Sequence, residues 1–464
     1  MILKKLISEA YLKNKTHIKK TPLIFSEYLS SKYDNNIFLK REDLQYCRSF
    51  KFRGAFNKIN GIDTSINKTI VCASAGNHAQ GVAYSSNINN INAIIYIPNN
   101  TPVQKKDRIK YYGNDNLKIV EYGDTFNECL DEALSWTDNK KYEFIHPYDD
   151  IDIIIGQGTI AKEIDEELYA DYILCPIGGG GLISGLTSYY NNLEYTLCNN
   201  DFNKFTCSRV FDISQNKYTL YDIKNFNDFN NKDFNNKDFN NKDFNNNDIH
   251  TEIIGVEPTS CPSMKLSIEY NKIIDYPVTD NFVDGSTVSK PGELPFKICS
   301  KYINNIQDID IGLICSDMID LYQNEGIIME PAGALSVSGL HKIDKNIKGK
   351  NIVCIVSGGN NDLMRYPEIL DRSLRYRDLK FYFIVEFIQK PGELRRFINN
   401  VLDKDDDIIR FEYMKKTNKD YGNVLIGIQV KNSMKKQIIN DKLYDNNFKY
   451  EFINENNILF DYLI

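Results

Sequence analysis

Eight short runs of this chain are apolar almost without a break, and that pattern leaves few folds open. They are NIFLK (36–40), TIVCAS (69–74), AIIYIP (93–98), LKIVEY (117–122), YEFIHP (142–147), YILCPIG (172–178), EIIGVE (252–257) and NIVCIVSGG (351–359). A strand with one face in water alternates apolar and polar residues; a strand covered on both faces does not. Between these runs lie amphipathic stretches with helical spacing, at 101–111, 124–137 and 152–166. Strands covered on both faces and alternating with helices make an α/β protein with largely parallel sheets.

Length and charge narrow the class. The 464 residues suffice for two or three domains with a sizeable core. A net charge of −7, with no dominant basic face, argues against nucleic acid as a partner. No apolar run approaches the roughly 18 residues of a membrane helix, so no membrane partner is expected. The N-terminal MILKKLISEAYLKNKT is too polar for a signal peptide and reads as an amphipathic helix. Ten cysteines occur singly, without a CxxC pair. This spacing argues against zinc and against a disulfide framework, and it suits a reducing cytoplasm.

Two segments depart from the α/β pattern. From about 195 to 250 the chain is rich in Asn, Asp, Lys and Phe, and 228–247 reads DFNNKDFNNKDFNNKDFNNN. A period of five advances Phe by about 140° on a helix and sends it to opposite faces of a strand. Neither structure buries the repeat, which reads as a disordered surface insertion. After residue 378 come a strand (LKFYFIVEFI), a helix opened by Pro391-Gly392, two strands, a helical stretch at 432–443 and a last strand. The order βαββαβ is ferredoxin-like.

Four short motifs bear on chemistry. In CRSFKFRGAF (47–56), Lys51 lies between Phe50 and Phe52. It is either part of a basic surface cluster or a partly desolvated amine with a lowered pKa, ready to act as a nucleophile. ASAGNHAQG (73–81) follows a strand and opens a helix; it is a tight turn, or a place where an anion meets free helical N–H groups. PIGGGGLISG (176–185) has four glycines between a strand and a helix, a costly arrangement in backbone entropy. A phosphate held by N–H groups offsets that cost; a plain flexible turn is the alternative. It is neither a Walker A loop, since no GK[ST] follows, nor a dinucleotide fingerprint. VSGGN (356–360) ends a strand with a serine that could meet a heterocycle nitrogen or cap a helix. An amine, a small-residue loop, a phosphate cradle and a late serine together suit a pyridoxal phosphate enzyme.

Taken in order, LKREDLQYCRSFKFRGAF, ASAGNHAQGVA, HPYDDIDIIIGQGTIAKEI, GGGGLISG, GVEP, EPAGALSVSGL and VSGGNND resemble the biosynthetic threonine ammonia-lyases (threonine dehydratases). These are fold type II, tryptophan-synthase-β-like enzymes. The tail is similar to the single ACT-like regulatory domain of their short form. The resemblance implies a pyridoxal phosphate catalytic domain over 1–372, interrupted at about 195–250, and an ACT-like domain over 378–464. It implies that Lys51 forms the Schiff base and takes the Cα proton, with Phe50 beside it. Asn77 is implied to contact the cofactor's 3′-oxygen, Gly178, Gly179, Gly180, Gly181 and Leu182 its phosphate, and Ser357 its pyridine nitrogen. Ser74, Gly76 and His78 flank the loop implied to take the substrate carboxylate. Some relatives bind a divalent cation after the EP at 257–258; here EPTSCPSMK lacks a second acid, and no metal is expected. The implied reaction takes L-threonine to 2-oxobutanoate and ammonia, in a cytoplasmic homotetramer inhibited by isoleucine, with valine a further effector. Rival readings are a catabolic serine/threonine dehydratase or serine racemase, and a catalytically dead amino-acid sensor.

Overall fold

The computed structural model describes residues 3–63, 68–136, 139, 141–191, 193–195, 205–206, 210–212, 217–219, 251–413, 419–453 and 460. The chain divides into two compact units, one of residues 1–310 and 321–361, the other of 311–320 and 362–464.

Two large sheets build the larger unit. The first has six strands in the order Leu23–Phe25, Asn36–Arg41, Asn351–Val356, Tyr172–Pro176, Glu252–Pro258, Ile306–Ile309. All neighbours run parallel except the first pair. The second sheet is wholly parallel, in the order Leu117–Glu121, Ala93–Ile97, Thr69–Ala73, Tyr142–Phe144. All eight apolar runs form strands, and the parallel α/β reading holds. Inner strands are buried nearly end to end, as Ile352–Val356 and Ile253–Pro258 are, because helices cover both faces. Leu23–Phe25 and Ile306–Ile309 were not expected; at three and four residues, on sheet edges, neither offers a continuous apolar run.

Sheet order positions the chemistry. Asn36–Arg41, Asn351–Val356 and Tyr172–Pro176 are parallel neighbours, so the loops leaving their carboxyl ends lie side by side. Those loops lead to Lys51, to Ser357 and to the four glycines. Ligands of open α/β sheets bind outside such carboxyl ends.

A buried charge cluster locks this region. The Arg53 guanidinium donates to both carboxylate oxygens of Glu42 (2.7 and 2.8 Å) and to both of Glu163 (2.7 and 2.9 Å). Lys40 donates to Glu163 at 2.6 Å and to the Thr21 carbonyl at 2.6 Å. All four charged side chains are 1% exposed or less. Two cations and two anions cancel, and burial raises Glu163's pKa less than Arg53 and Lys40 lower it.

The second unit carries a four-stranded antiparallel sheet in the order Asp407–Tyr413, Tyr421–Gln429, Lys380–Ile388, Lys449–Ile453. With the helices Glu393–Val401 and Met434–Asp445 it forms the expected βαββαβ module. Phe381, Phe383, Val385 and Phe387 share one sheet face and pack with Phe397, Val401, Ile439 and Leu443 of those helices. The period-five repeat lies outside the described residues. Within the surrounding insertion, Glu194–Tyr195 pairs with Phe205–Thr206, and Val210–Asp212 with Lys217–Thr219.

Replacing Arg53 with Met should strand two buried carboxylates opposite one lysine. The expected loss is about 3–5 kcal/mol of unfolding free energy, read by urea denaturation. A loss within error of zero would show that the cluster does not hold these elements together.

Candidate active site

Lys51 is the first residue of the helix Lys51–Ile59, held two residues upstream of the anchored Arg53. The chain reaches it through a strained turn: Cys47 and Arg48 take φ of 57° and 53°, left-handed values that β-carbons disfavour. Such a turn persists only where neighbours hold it. Here Asn360 Nδ2 donates to the Cys47 carbonyl (2.7 Å), Gly359 N–H to the Arg48 carbonyl (3.0 Å), and the Cys47 thiol to the Gln80 carbonyl (3.4 Å). The Lys51 ammonium donates to the Pro147 carbonyl at 3.0 Å and lies 5.3 Å from the Phe50 ring centroid and 6.0 Å from that of Tyr148. Burial pushes its pKa down to about 8, with Glu330's charge pulling the other way. Its place at a helix N-terminus also disfavours a cation. Of the two sequence readings of Lys51, the structure realises the desolvated one.

The late serine loop meets this turn directly. Ser49 bridges to Gly358, and Phe50 N–H donates to the Ser357 carbonyl at 3.1 Å. The Ser357 hydroxyl is buried and donates to the Ala332 carbonyl at 3.2 Å.

Asn77 opens the helix Asn77–Ile88 and faces the same loop. Its amide nitrogen donates to Glu330 Oε1 (2.7 Å), and its amide oxygen accepts from Asn360 Nδ2 (2.8 Å). Before it, the Ser74 hydroxyl accepts from Gly76 N–H at 3.2 Å, and a β-carbon on Gly76 would meet nothing within 4 Å. The His78 ring points elsewhere, bonded through Nε2 to the Ile145 carbonyl at 2.9 Å. Burial and the Lys51 charge push its pKa down to about 3, so the ring is neutral and Nε2 carries the proton it donates.

The glycine run forms the turn into the helix Gly181–Tyr190. Gly180 takes φ +93°, and a β-carbon on Gly179 would stand 2.3 Å from the Tyr148 ring. The first N–H groups of that helix have no intrahelical acceptor. Tyr148 thus lies against the cradle on one side and within reach of Lys51 on the other. Glu257 accepts from Met264 and Lys265 N–H (2.9 and 2.8 Å), so both its oxygens cap the helix Ser263–Glu269.

Glu330, Asn360 and Tyr148 were not singled out from the sequence. Tyr148 sits inside the HPYDD motif, and Glu330 is a lone acid ahead of the small apolar run PAGAL, where burial is the default. Burial and nearby Asp284 raise the Glu330 pKa to about 7, against hydrogen bonds from Asn77 and Asn360 N–H and the charge of Lys105.

Comparison with known proteins agrees with this geometry. The family described as pyridoxal-phosphate dependent enzyme matches residues 15–199 and 241–358. The family described as the C-terminal regulatory domain of threonine dehydratase matches 371–463. The biosynthetic L-threonine dehydratase IlvA of Staphylococcus aureus is 41% identical over 467 residues, covering 99% of this chain and 97% of that protein. Its counterpart in Staphylococcus epidermidis is 42% identical over 465 residues, with the same coverage. The processed form of threonine deaminase isoform 2 from Solanum lycopersicum has a TM-score of 0.64 at 30% identity, over 80% of this chain and 88% of that one. The resemblance carried by the motifs is borne out: this chain belongs to the biosynthetic threonine dehydratases, pyridoxal-phosphate-dependent enzymes with a C-terminal regulatory domain.

Proposed function

We propose that this protein removes the amino group of L-threonine, as the first step towards isoleucine, and that isoleucine regulates it. The observation that supports the chemistry is a partly buried Lys51 amine with a lowered pKa, between two loops able to hold the ends of one cofactor. The residues fit pyridoxal phosphate. Glycine positions that side chains could not occupy leave N–H groups for a phosphate, and a neutral hydroxyl stands at the other end. When bound, pyridoxal phosphate supplies an electrophilic carbon and a sink for the electron pair at the substrate's α-carbon.

The chain's own groups then divide the work. Gly178 to Leu182 would anchor the phosphate through backbone N–H groups. Ser357 would offer its hydroxyl to the ring nitrogen, and a neutral hydroxyl brings no charge to protonate that nitrogen. Asn77 would donate its second amide proton to the ring oxygen. Substrate carboxylate binds at the open space beside Gly76, where Ser74 and the first N–H groups of the helix Asn77–Ile88 converge. His78 contributes there through its backbone, since its ring is committed to Ile145. Lys51, with its pKa depressed towards neutrality, would take the α-proton; the β-hydroxyl would leave as water, and a water entering at the α-carbon would release ammonia and 2-oxobutanoate, so the water lost is returned.

The second unit supports regulation. Gly392 opens the helix Glu393–Val401, and Glu393 is buried with Oε2 unpartnered among the described residues. A carboxylate beside free N–H groups suits the ammonium and carboxylate of an amino acid, with isoleucine and then valine as the effectors. The matched regulatory domain weighs against a catabolic dehydratase or racemase, and the intact Lys51 site against a dead sensor. A homotetramer in the cytoplasm completes the reading; no helix among the described residues is long and apolar enough to cross a membrane, and the cysteines described are free and buried.

Two outcomes test this. Lys51→Ala should lower production of 2-oxobutanoate from L-threonine at least about 10³-fold with no shift in urea midpoint. Borohydride should bleach the yellow wild type and leave the cofactor covalently attached to the peptide containing Lys51; unimpaired turnover by the variant would end the assignment. Isoleucine should raise the KM for threonine about 5–150-fold, the range of ordinary allosteric coupling. A full-length enzyme that neither responds at subsaturating threonine nor binds isoleucine in calorimetry would make the second unit purely structural.

A further inference from the structure

Glu330 stands out among the buried groups that the proposed chemistry leaves unused. The residue is 7% exposed, and its carboxylate is enclosed on several sides. A β-carbon on Gly358 would come within 2.1 Å of Glu330 Oε1, and one on Gly285 within 3.8 Å. Glycine at 358 is therefore what leaves room for the carboxylate beneath the serine loop. Glu330 N–H donates to the Gly358 carbonyl (3.3 Å), and its own carbonyl accepts from Gly333 N–H (2.8 Å), so the backbone beneath it is fixed as well.

The hydrogen bonds run in one direction: Asn360 Nδ2 donates to Asn77 Oδ1, and Asn77 Nδ2 donates to Glu330 Oε1. A carboxylate can only accept, so an ionised Glu330 compels Asn77 to turn its amide nitrogen inward. One proton of that nitrogen goes to Glu330, and the other remains for a ligand oxygen. A neutral amide in place of Glu330 offers both a donor and an acceptor, so Asn360 Nδ2 alone would then hold Asn77 in its orientation.

Charge adds a second effect. Glu330 is the anion that acts on Lys51, opposing the burial that disfavours its ammonium. The other groups facing the pair are the helix Val103–Gly113 through Lys105, ion-paired with Asp284 at 2.8 Å, and the rings of His78 and His146. Burial depresses both imidazoles, to about 3 and about 4, so neither changes charge near neutrality. Lys105 and Asp284 largely cancel, which leaves Glu330 as the titrating anion near Lys51.

We propose that Glu330 is a positioning residue: it sets the orientation of Asn77 towards the cofactor's ring oxygen and keeps a proton on the Lys51 nitrogen. This rests on the assignment of Lys51 and Asn77 given above. Glu330 need touch neither substrate nor cofactor to do so.

The test is a spectrophotometric pH titration of the bound cofactor in the holoenzyme, because protonation of the nitrogen it shares with Lys51 changes its visible absorption. Glu330→Gln should lower the titration midpoint by about 1 pH unit, a tenfold weaker hold on the proton. Glu330→Asp keeps the charge but is too short to reach Asn77. It should hold the midpoint near the wild-type value while weakening cofactor binding, as Asn77→Ala also should. If Glu330→Gln does not fold, Glu330→Asp decides: cofactor affinity equal to wild type would overturn the orienting role. A wild-type midpoint in Glu330→Gln would overturn the charge role. A colourless wild type that borohydride does not label would instead defeat the Lys51 assignment itself.

Discussion

Arg53 is the constraint on which the catalytic unit depends. Its guanidinium grips one carboxylate from the turn after the strand Asn36–Arg41 and another from the helix Ile151–Glu167, with Lys40 balancing the count. Planar, bidentate geometry suits arginine to this place, and lysine could not reproduce it. A cluster of this kind costs desolvation and is weak evidence of stability for its own sake. What it does supply is register. Lys51 lies two residues from Arg53 on the same short helix, so fixing the guanidinium fixes where the amine emerges.

From that anchor the site follows by topology. Three parallel neighbours in one sheet end side by side, and their outgoing loops carry Lys51, Ser357 and the glycine run. The second sheet adds Ser74 and Asn77 from the loop after Thr69–Ala73. The left-handed turn at Cys47 and Arg48 is tolerable because the serine loop binds both of its carbonyls. Strain, hydrogen bonding and burial thus converge on one amine. Burial lowers its pKa, the helix N-terminus works in the same direction, and Glu330 tempers both.

Tyr148 shows how tightly the parts are fitted. Its ring rests where a side chain at 179 would stand, its backbone and β-carbon crowd the one at 181, and its neighbour Pro147 offers the carbonyl that holds Lys51. The adjoining His146 ring accepts from the N–H groups of Tyr148 and Asp149 at 3.2 and 2.7 Å, so that ring must leave Nδ1 unprotonated. Asp149 in turn caps the helix Glu293–Tyr302 with both oxygens. HPYDD is therefore a chain of local bonds that sets one wall of the site, a role the bare motif does not display.

Periodicity and punctuation alone determined the eight strands, the parallel sheets, the βαββαβ tail and the candidate amine, phosphate loop and serine, because burial on both faces and costly glycines leave marks in a linear chain. The two short edge strands left none. The sequence could not choose between a surface lysine and a buried one at position 51, since flanking phenylalanines occur in both settings. Tertiary structure decided that, by setting Pro147, Tyr148 and Glu330 around the amine. It also brought Lys40, Glu42, Arg53 and Glu163, which nothing in the sequence marks as partners, into a neutral buried cluster. The physical reason is the same in both cases: desolvation and charge pairing depend on what approaches from far along the chain, and residues 42 and 163, or 51 and 330, become neighbours only when the sheets have formed.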